Sequence, residues 1–180
     1  LTQAADLFRP VHEATGGVDG RVSLEVSPLL VDDTAGTIAA ARQLFDATAR
    51  ANLFIKIPGT PAGVKAIEES IFAGIPVNVT LLFSREQYLA VAEAYMHGIE
   101  RRIEARLDPK VESVASLFVS RWDVAVKDQV PVAHRNRLGV ASAGRTYKAY
   151  RERVAGPRGK RVGEAGGRRR RPRGGGSGRR

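Results

Sequence analysis

The chain has 180 residues, of which 43% are hydrophobic and 27% charged, a composition that suits one soluble domain with a substantial core. It contains no cysteine, which excludes disulfides and thiolate metal sites and is compatible with a reducing cytoplasm, and its three histidines are scattered. The longest apolar runs fall far short of the roughly 18 residues of a membrane-spanning helix, so we expect neither a membrane helix nor a signal peptide.

The net charge of +10 is concentrated at the C-terminal end of the chain. Residues 151–180 carry 12 Lys and Arg against 2 Asp and Glu, which leaves 17 of the 29 basic and 17 of the 19 acidic residues to residues 1–150. The tail, residues 155–180, has almost no large apolar side chain to offset its ordering entropy. The sequence therefore predicts a folded domain over residues 1–154 and a disordered Arg/Gly-rich tail over 155–180.

Two interpretations of the tail remain open. The run RRRRPR could neutralise phosphates, which makes a nucleic-acid-binding protein an alternative function for the chain. No Phe, Tyr or Trp is interleaved to stack on bases, so nucleic acid is not the partner that we expect. The abrupt change to Arg, Gly and Pro is also typical of an out-of-frame extension of a GC-rich gene.

The chain begins without a methionine and already within an amphipathic pattern of Leu1, Ala5, Phe8 and Val11. We therefore expect it to be part of a longer protein. From residue 20 onward, strands with period-two alternation or short apolar runs are followed by amphipathic helices. In chain order these are the strand 20–28, the helix 32–51, the strand 53–59, the helix 60–74, the strand 75–83, the helix 84–107, the strand 111–122, a helix near 122–130 and the helix 143–154. Strands separated by single helices require parallel crossovers, which predicts the α/β class, as a barrel or as an open doubly wound sheet.

The alternation within the strands favours a barrel. A parallel strand that is buried on both faces is nearly all apolar, whereas here one parity of the first three strands is apolar and the other carries polar groups. Polar groups near the carboxyl ends of successive parallel strands predict a shared site at the top of a barrel. The apolar positions predicted to face the helices are Val22, Leu24, Val26, Leu53, Ile55, Ile57, Val77, Val79 and Leu81, and the polar positions opposite them are Ser23, Glu25, Lys56, Asn78 and Thr80.

Lys56 stands within the otherwise apolar run LFIKIPG. In a water-poor site a lysine loses hydration of its charged form, which favours the neutral amine that attacks a carbonyl carbon and forms a Schiff base. The alternative is a strand-end lysine that reaches water or pairs with Glu25. Asn78 and Thr80 could in the same way only cap or bridge strand ends, so the residues alone leave both interpretations open.

Four segments together resemble a known family. GRVSLEVSP, NLFIKIPGTPAG, GIPVNVTLLFS and VASLFVSRWD resemble, in this order and at these intervals, the third to sixth strands of transaldolase, the pentose-phosphate enzyme built as an eight-stranded α/β barrel. The resemblance covers about residues 1–150, and K-I-P-x-T-P at 56–61 matches the Schiff-base strand of the family. It implies a partial (β/α)8 TIM barrel of about four βα units.

The resemblance implies a catalytic role for three residues. Lys56 would form an imine with a ketose phosphate such as fructose 6-phosphate or sedoheptulose 7-phosphate and transfer a dihydroxyacetone unit to an aldose phosphate. Glu25 and Thr80 would hold and activate the water that relays protons at the imine, a task suited to a carboxylate and a hydroxyl. No cofactor or metal is implied.

Three further residues would bind the substrate, according to the same resemblance. Asn78 would bind sugar hydroxyls, while Ser116 and Arg121 would bind the phosphate, Arg121 through a planar fork that fits phosphate oxygens. The partners implied are therefore sugar phosphates, with no membrane, and the location is cytoplasmic. A homodimer is a state that the resemblance suggests for the intact family member.

Only four of the eight barrel strands can be placed in this sequence, although a barrel of this type usually takes about 250 residues. The first strand of the family supplies an aspartate for carbon–carbon bond cleavage and the second a substrate-binding asparagine, and neither segment is recognised here. We therefore expect a transaldolase-family segment that is truncated at both ends and inactive by itself. Besides this hypothesis and that of a nucleic-acid-binding protein acting through its basic tail, a third remains: a truncated, inactive product that retains the family's residues without its activity.

Overall fold

The computed structural model describes residues 2–165 and 173–175, which form helices and one parallel sheet. The strands are β1 (Val22–Glu25), β2 (Leu53–Pro58), β3 (Val77–Leu82), β4 (Ser113–Phe118) and β5 (Arg173–Gly175). The helices are α1 (Thr2–Ala14), α2 (Thr34–Thr48), α3 (Pro61–Phe72), α4 (Arg85–Glu104), α5 (Ser120–Ala125), α6 (Leu138–Ala155) and α7 (Pro157–Glu164).

The sheet has the strand order β1-β2-β3-β4-β5, and every neighbouring pair is parallel. One helix connects β1 to β2, β2 to β3 and β3 to β4, so each connection is a βαβ crossover. Strands that neighbour each other in chain order, each followed by a helix, are the repeating unit of a (β/α)8 barrel. The predicted α/β class and the partial barrel are thus confirmed.

Side-chain caps begin the three helices that follow the first three strands. Asp33 accepts a hydrogen bond from the first turn of α2, and Thr60 does the same for α3, whose first residue is Pro61. Ser84 and Gln87 form a reciprocal capping box at the start of α4. These caps fix the points at which the chain leaves the strand ends, and the predicted helix starts at 32–34, 60–61 and 84 are confirmed.

The hydrophobic core lies between the sheet and helices α2, α3 and α4. Leu53, Ile55 and Ile57 of β2 are fully buried there. Because alternate residues of a strand point to opposite faces, the same strand leaves Phe54 and Lys56 on the other side. Other core side chains from the neighbouring elements are Val26, Ala41, Ala66, Ile67, Ile71, Val77, Val79, Leu82, Val91 and Ile99.

The sheet is strongly curved away from the helices. Asn78 Nδ2 on β3 donates to Ser23 Oγ on β1 at 3.2 Å although β2 lies between them. In a flat sheet the first and third strands are about 10 Å apart, a gap that two such short side chains do not bridge. We call the sheet face opposite the helices the concave face; it carries Ser23, Glu25, Lys56, Asn78, Thr80 and Ser116.

An ion pair spans the concave face at the amino ends of the strands. Arg21, just before β1, contacts Glu112, just before β4, and their side chains are only 10% and 9% exposed. The Arg21 guanidinium also lies 4.8 Å from the centroid of the Phe54 ring and donates to the carbonyl of Gly17. These contacts join the first and fourth strands and cover the end of the sheet that lies away from the candidate site.

One prediction for β3 was wrong. Leu81 was expected to share the apolar face of Val77 and Val79, but Leu82 is fully buried in the core while Leu81 is 39% exposed. The register of β3 on β4 shifts between Val79 and Leu82, and Leu81 has φ +56°. A β-bulge therefore adds one residue to the strand and interrupts the period of two.

Two other boundaries also differ from the predictions. The fourth strand ends at Phe118 rather than at residue 122, so Arg121 lies on α5. The chain from residue 155 was predicted to be disordered, yet 157–164 form α7, which follows a Gly–Pro start and buries Val162.

The physical reason is that ion pairs to α4 stabilise α7 in place of a large apolar face. Arg158 donates to both carboxylate oxygens of Glu100, at 2.7 and 2.6 Å, and also contacts Glu93. The backbone of residues 173–175 pairs with Ser116–Phe118 on the edge of β4. The rest of the predicted tail, residues 166–172 and 176–180, lies outside the described residues.

Candidate active site

Lys56 lies in the middle of the concave face, near the carboxyl end of β2. Its strand neighbours Ile55 and Ile57 are fully buried on the helix side, which fixes the direction of the lysine side chain. The side chain is 30% exposed, and Nζ donates to Glu25 Oε2 at 3.0 Å. The amine is therefore paired and still accessible from the open side of the sheet.

Glu25 brings β1, β2 and β3 together at this point. Its register partner on β2 is Lys56, and its second carboxylate oxygen, Oε1, accepts from Thr80 Oγ1 on β3 at 3.4 Å. The Thr80 side chain is almost completely buried, whereas that of Glu25 is 48% exposed. The carboxylate thus stands between a fixed hydroxyl on one side and the lysine amine on the other.

A second hydrogen-bonded group lies beside the first. Ser116 Oγ on β4 donates to Asn78 Oδ1 at 2.9 Å, and Asn78 Nδ2 donates to Ser23 Oγ on β1. Asn78 is the register partner of Lys56, so the two groups are adjacent. Ser23 was not among the predicted site residues, although the period-two pattern already placed it on the same face as Glu25.

Arg121 is not part of either group. It lies on α5 with its side chain exposed, and its guanidinium lies 5.0 Å from the centroid of the Phe118 ring. That ring stacks on Phe83 at 5.3 Å, and Trp122 Nε1 donates to the Phe83 carbonyl at 2.6 Å. The aromatic contacts fix the start of α5, so Arg121 is held beside the carboxyl ends of β3 and β4 rather than on the strand itself.

The arrangement provides an amine nucleophile, a carboxylate within proton-transfer distance of it, and a row of hydroxyl and amide groups. A carboxylate 3.0 Å from an ammonium group lies within the range at which general bases act. Residues 2–165 contain no group of three His, Cys, Asp or Glu side chains that could hold a metal ion. The amine, carboxylate and hydroxyl groups that the strands bring together support acid–base and nucleophilic chemistry.

The fold and the site together define a partial (β/α)8 barrel whose polar cluster lies at the carboxyl ends of the strands. Proteins of this class place their active sites at that end. The sequence model of the Transaldolase/Fructose-6-phosphate aldolase family matches residues 1–158, and the chain belongs to this family. The resemblance found in the strand sequences is thereby confirmed.

Several bacterial transaldolases are similar to the chain. Transaldolase 2 of Streptomyces coelicolor is 46% identical over 160 residues, which are 84% of this chain and 43% of that protein. The transaldolase of Thermobifida fusca is 46% identical over 177 residues, covering 94% of this chain and 48% of the relative. The transaldolase of a Parafrankia species is 43% identical over 180 residues, with coverages of 96% and 49%. The chain thus spans just under half the length of these relatives.

In residues 2–165, the structure has no helix that is both long and apolar enough to cross a membrane.

Proposed function

We propose that Lys56 forms a Schiff base with the carbonyl carbon of a ketose phosphate, as the first step in the transfer of a dihydroxyacetone unit to an aldose phosphate. The observation that carries this proposal is the pairing of an accessible strand lysine with a carboxylate. Lys56 Nζ lies 3.0 Å from Glu25, on the concave face and at the carboxyl end of its strand. A lysine that served only solubility would gain nothing from this position.

Imine formation requires the lysine amine to lose a proton before it attacks. Glu25 accepts that proton from Lys56, the neutral amine adds to C2 of the ketose, and the surplus proton on nitrogen passes to the former carbonyl oxygen, which becomes a hydroxyl. The protonated Glu25 then returns its proton to this hydroxyl, which leaves as water and gives the protonated imine. Thr80 donates to the other oxygen of Glu25 and so keeps the carboxylate directed at the amine.

The remaining predicted residues act as binding groups in this proposal. Asn78 and Ser116 both donate and accept hydrogen bonds, as sugar hydroxyls do. Asn78 is the register partner of the lysine on β3, and Ser116 on β4 donates to Asn78. Ser23 extends the same row. Arg121 is exposed beside the strand ends, and in this proposal its guanidinium binds two oxygens of the substrate phosphate.

Borohydride trapping tests the imine on the chain itself. We expect fructose 6-phosphate and sodium borohydride to give a stable secondary amine on Lys56, located by peptide mass spectrometry. Lys56→Ala should lose the adduct, whereas Lys65→Ala, which removes an exposed lysine on α3, should retain it. The Lys65 variant is the matched control because it changes the lysine count equally.

An adduct spread evenly over the lysines would contradict the proposal, since it would show ordinary amine reactivity. Absence of any adduct on Lys56 would also contradict it for this chain. A third informative variant is Glu25→Gln, which keeps the hydrogen-bonding shape but cannot accept the proton. We expect it to lower the trapping rate by about one hundredfold, within the range for loss of a general base.

The complete transfer reaction is proposed for the whole protein rather than for this chain, which covers less than half the length of its relatives. We expect the 180-residue chain to be nearly inactive in forming sedoheptulose 7-phosphate from fructose 6-phosphate and erythrose 4-phosphate. A barrel completed with the missing strands of a relative should be active, and Lys56→Ala should abolish that activity. A place in the cytoplasmic pentose phosphate pathway and a homodimeric state belong to the same proposal.

A further inference from the structure

The bulge in β3 lies directly between a proposed site residue and the hydrophobic core. Val79 pairs with Ala115 and Leu82 pairs with Leu117, so two residues of β3, Thr80 and Leu81, lie opposite the single residue between those partners on β4. This two-to-one count defines a β-bulge. Bulges are enriched next to active sites, where they redirect a side chain.

The bulge is built on a conformation that leucine adopts only at a cost. Leu81 has φ +56°, in the left-handed region, where its Cβ approaches its own backbone. Such strain persists only where surrounding contacts enforce it, and it clusters at functional sites. Leu81 is itself 39% exposed, so burial of its own side chain does not account for the strain.

The neighbouring residues show what the strained conformation achieves. With strict alternation, Leu82 would face the same side as Asn78 and Thr80, because all three have even numbers. The extra residue instead lets Thr80 contact Glu25 while Leu82 is fully buried against the helices. The Thr80 carbonyl accepts from the Gly59 amide at 2.8 Å, and a Cβ on Gly59 would lie 2.4 Å from Leu82 Cδ2, so β2 packs closely against the bulge.

We infer that Leu81 is a positioning residue, whose left-handed backbone conformation directs the Thr80 hydroxyl at Glu25. The inference rests on the proposed function, because the role of Thr80 belongs to that proposal. Leu81 acts through its backbone and makes no contact with the substrate. A residue's backbone requirement can be tested by comparing side chains that differ in their tolerance of positive φ.

The experiment uses the 180-residue chain with Leu81 replaced by Gly, Ala or Val. Glycine adopts positive φ without steric cost, alanine retains the Cβ, and a β-branched valine is the least compatible. Leu81→Ala is the matched control for Leu81→Gly, since both lose the leucine side chain beyond Cβ. We expect the urea midpoint of Leu81→Gly to lie above that of Leu81→Ala; equal midpoints would overturn the assignment of strain to Leu81.

Trapping on Lys56 with fructose 6-phosphate and borohydride measures the consequence for the site. We expect Leu81→Val to slow trapping at least tenfold, to the level of Thr80→Ala, and Leu81→Gly to restore a rate near that of the unmodified chain. In the Thr80→Ala background, Leu81→Val should change the rate by less than twofold. Losses that multiply in the double variant would overturn the inference, because Leu81 would then act independently of Thr80.

A spectroscopic measurement separates this inference from the proposed function. The Thr80 methyl signal in a ¹H–¹³C spectrum reports its surroundings whether or not an imine forms. Leu81→Val should shift that signal and Leu81→Gly should leave it in place. If no adduct forms on Lys56 but this pattern is seen, the proposed function fails and the positioning of Thr80 stands. An unchanged signal in Leu81→Val would overturn the positioning.

Discussion

The two faces of β2 differ in what they contribute, although they alternate residue by residue. On the helix side, Leu53, Ile55 and Ile57 are fully buried among α2, α3 and α4. On the concave face, Lys56 is 30% exposed and its partner Glu25 is 48% exposed. Burial of apolar area stabilises the fold, whereas an exposed ion pair contributes little, so stability and the proposed chemistry belong to opposite faces of the same strand.

This division explains how four βα units hold a site in place without covering it. The helix side fixes the direction of every alternate side chain, and hydrogen bonds across the concave face fix the curvature. Thr80 is one exception, because it is buried and yet contacts Glu25 on the concave face. Phe54 and the nearly buried Arg21–Glu112 pair form another, at the amino end of the same face. Changes on the helix side should therefore alter stability, and changes on the concave face should alter reactivity.

The largest expected effect comes from truncating a core side chain next to the lysine. Ile55→Ala should lower the free energy of unfolding by about 3 kcal/mol, because it leaves a cavity beneath α2 and α3. Lys56→Ala, one residue away, should change it by less than about 0.5 kcal/mol, as expected for an exposed pair. Urea denaturation of both variants measures the contrast, and equal losses would show that the two faces are not separable.

The next largest effect tests the exception at the amino end of the concave face, where Arg21 and Glu112 are almost buried. Glu112→Gln keeps the shape of the side chain but removes the charge that Arg21 contacts. We expect the free energy of unfolding to fall by about 2 to 3 kcal/mol, with partial recovery in the double variant Arg21→Met/Glu112→Met. A change as small as that of Glu25→Gln would place this pair with the exposed ones.

A smaller effect is expected on the outer, helical side, where α7 binds α4 through charged groups. Hydrogen bonds from Arg158 hold the pKa of Glu93 and of Glu100 below the ordinary glutamate value. Their stabilisation is therefore fully present above the ordinary pKa of about 4.5 and is lost as the pH falls through the lowered values. At pH 7, Arg158→Met should cost about 1 kcal/mol after solvent screening.

The measurement for Arg158→Met is urea denaturation between pH 7 and pH 2. The difference from the unmodified chain should shrink below pH 4.5 and vanish once both glutamates are protonated in the folded state. A difference that stayed constant with pH would show that Arg158 acts through packing of its apolar stem instead. Arg151→Met, an exposed arginine on α6, is the matched control and should have no pH-dependent effect.

The smallest effect on stability is expected from Glu25→Gln, which removes the charge opposite Lys56. The free energy of unfolding should change by less than about 0.5 kcal/mol, since both side chains are solvated. The same variant is expected to slow trapping strongly, so it separates the two faces most sharply. A loss of more than about 2 kcal/mol would show that the pair holds β1 on β2 and is structural.

Much of the fold could be predicted because it depends on local patterns. Period-two alternation located β1 and β2, and the amphipathic patterns beginning at residues 60 and 84 located two helix starts, which Thr60 and Ser84 cap in the structure. The K-I-P-x-T-P stretch carried the family resemblance and with it Lys56. The candidate site was also largely predictable, since five of the six expected residues lie on one face and are joined in two hydrogen-bonded groups.

Other features could not be predicted because distant residues determine them. Arg121 was expected at a strand end, but the strand stops at Phe118 and the aromatic contacts of α5 decide where the arginine lies. Disorder was expected from residue 155 because the segment lacks large apolar residues. The acidic residues that bind Arg158 lie about 60 positions earlier in the chain, on α4, and no local pattern connects them.

The sequence by itself determined the order of the strands and helices, the helix caps and the side of each strand on which Lys56 and Glu25 lie, because a period of two and a capping side chain act within a few residues. The tertiary structure alone decided which of Leu81 and Leu82 enters the core. That choice depends on the space beside Gly59 and on the register of β3 with β4. Both are set by neighbouring strands that contact β3 only in the folded protein.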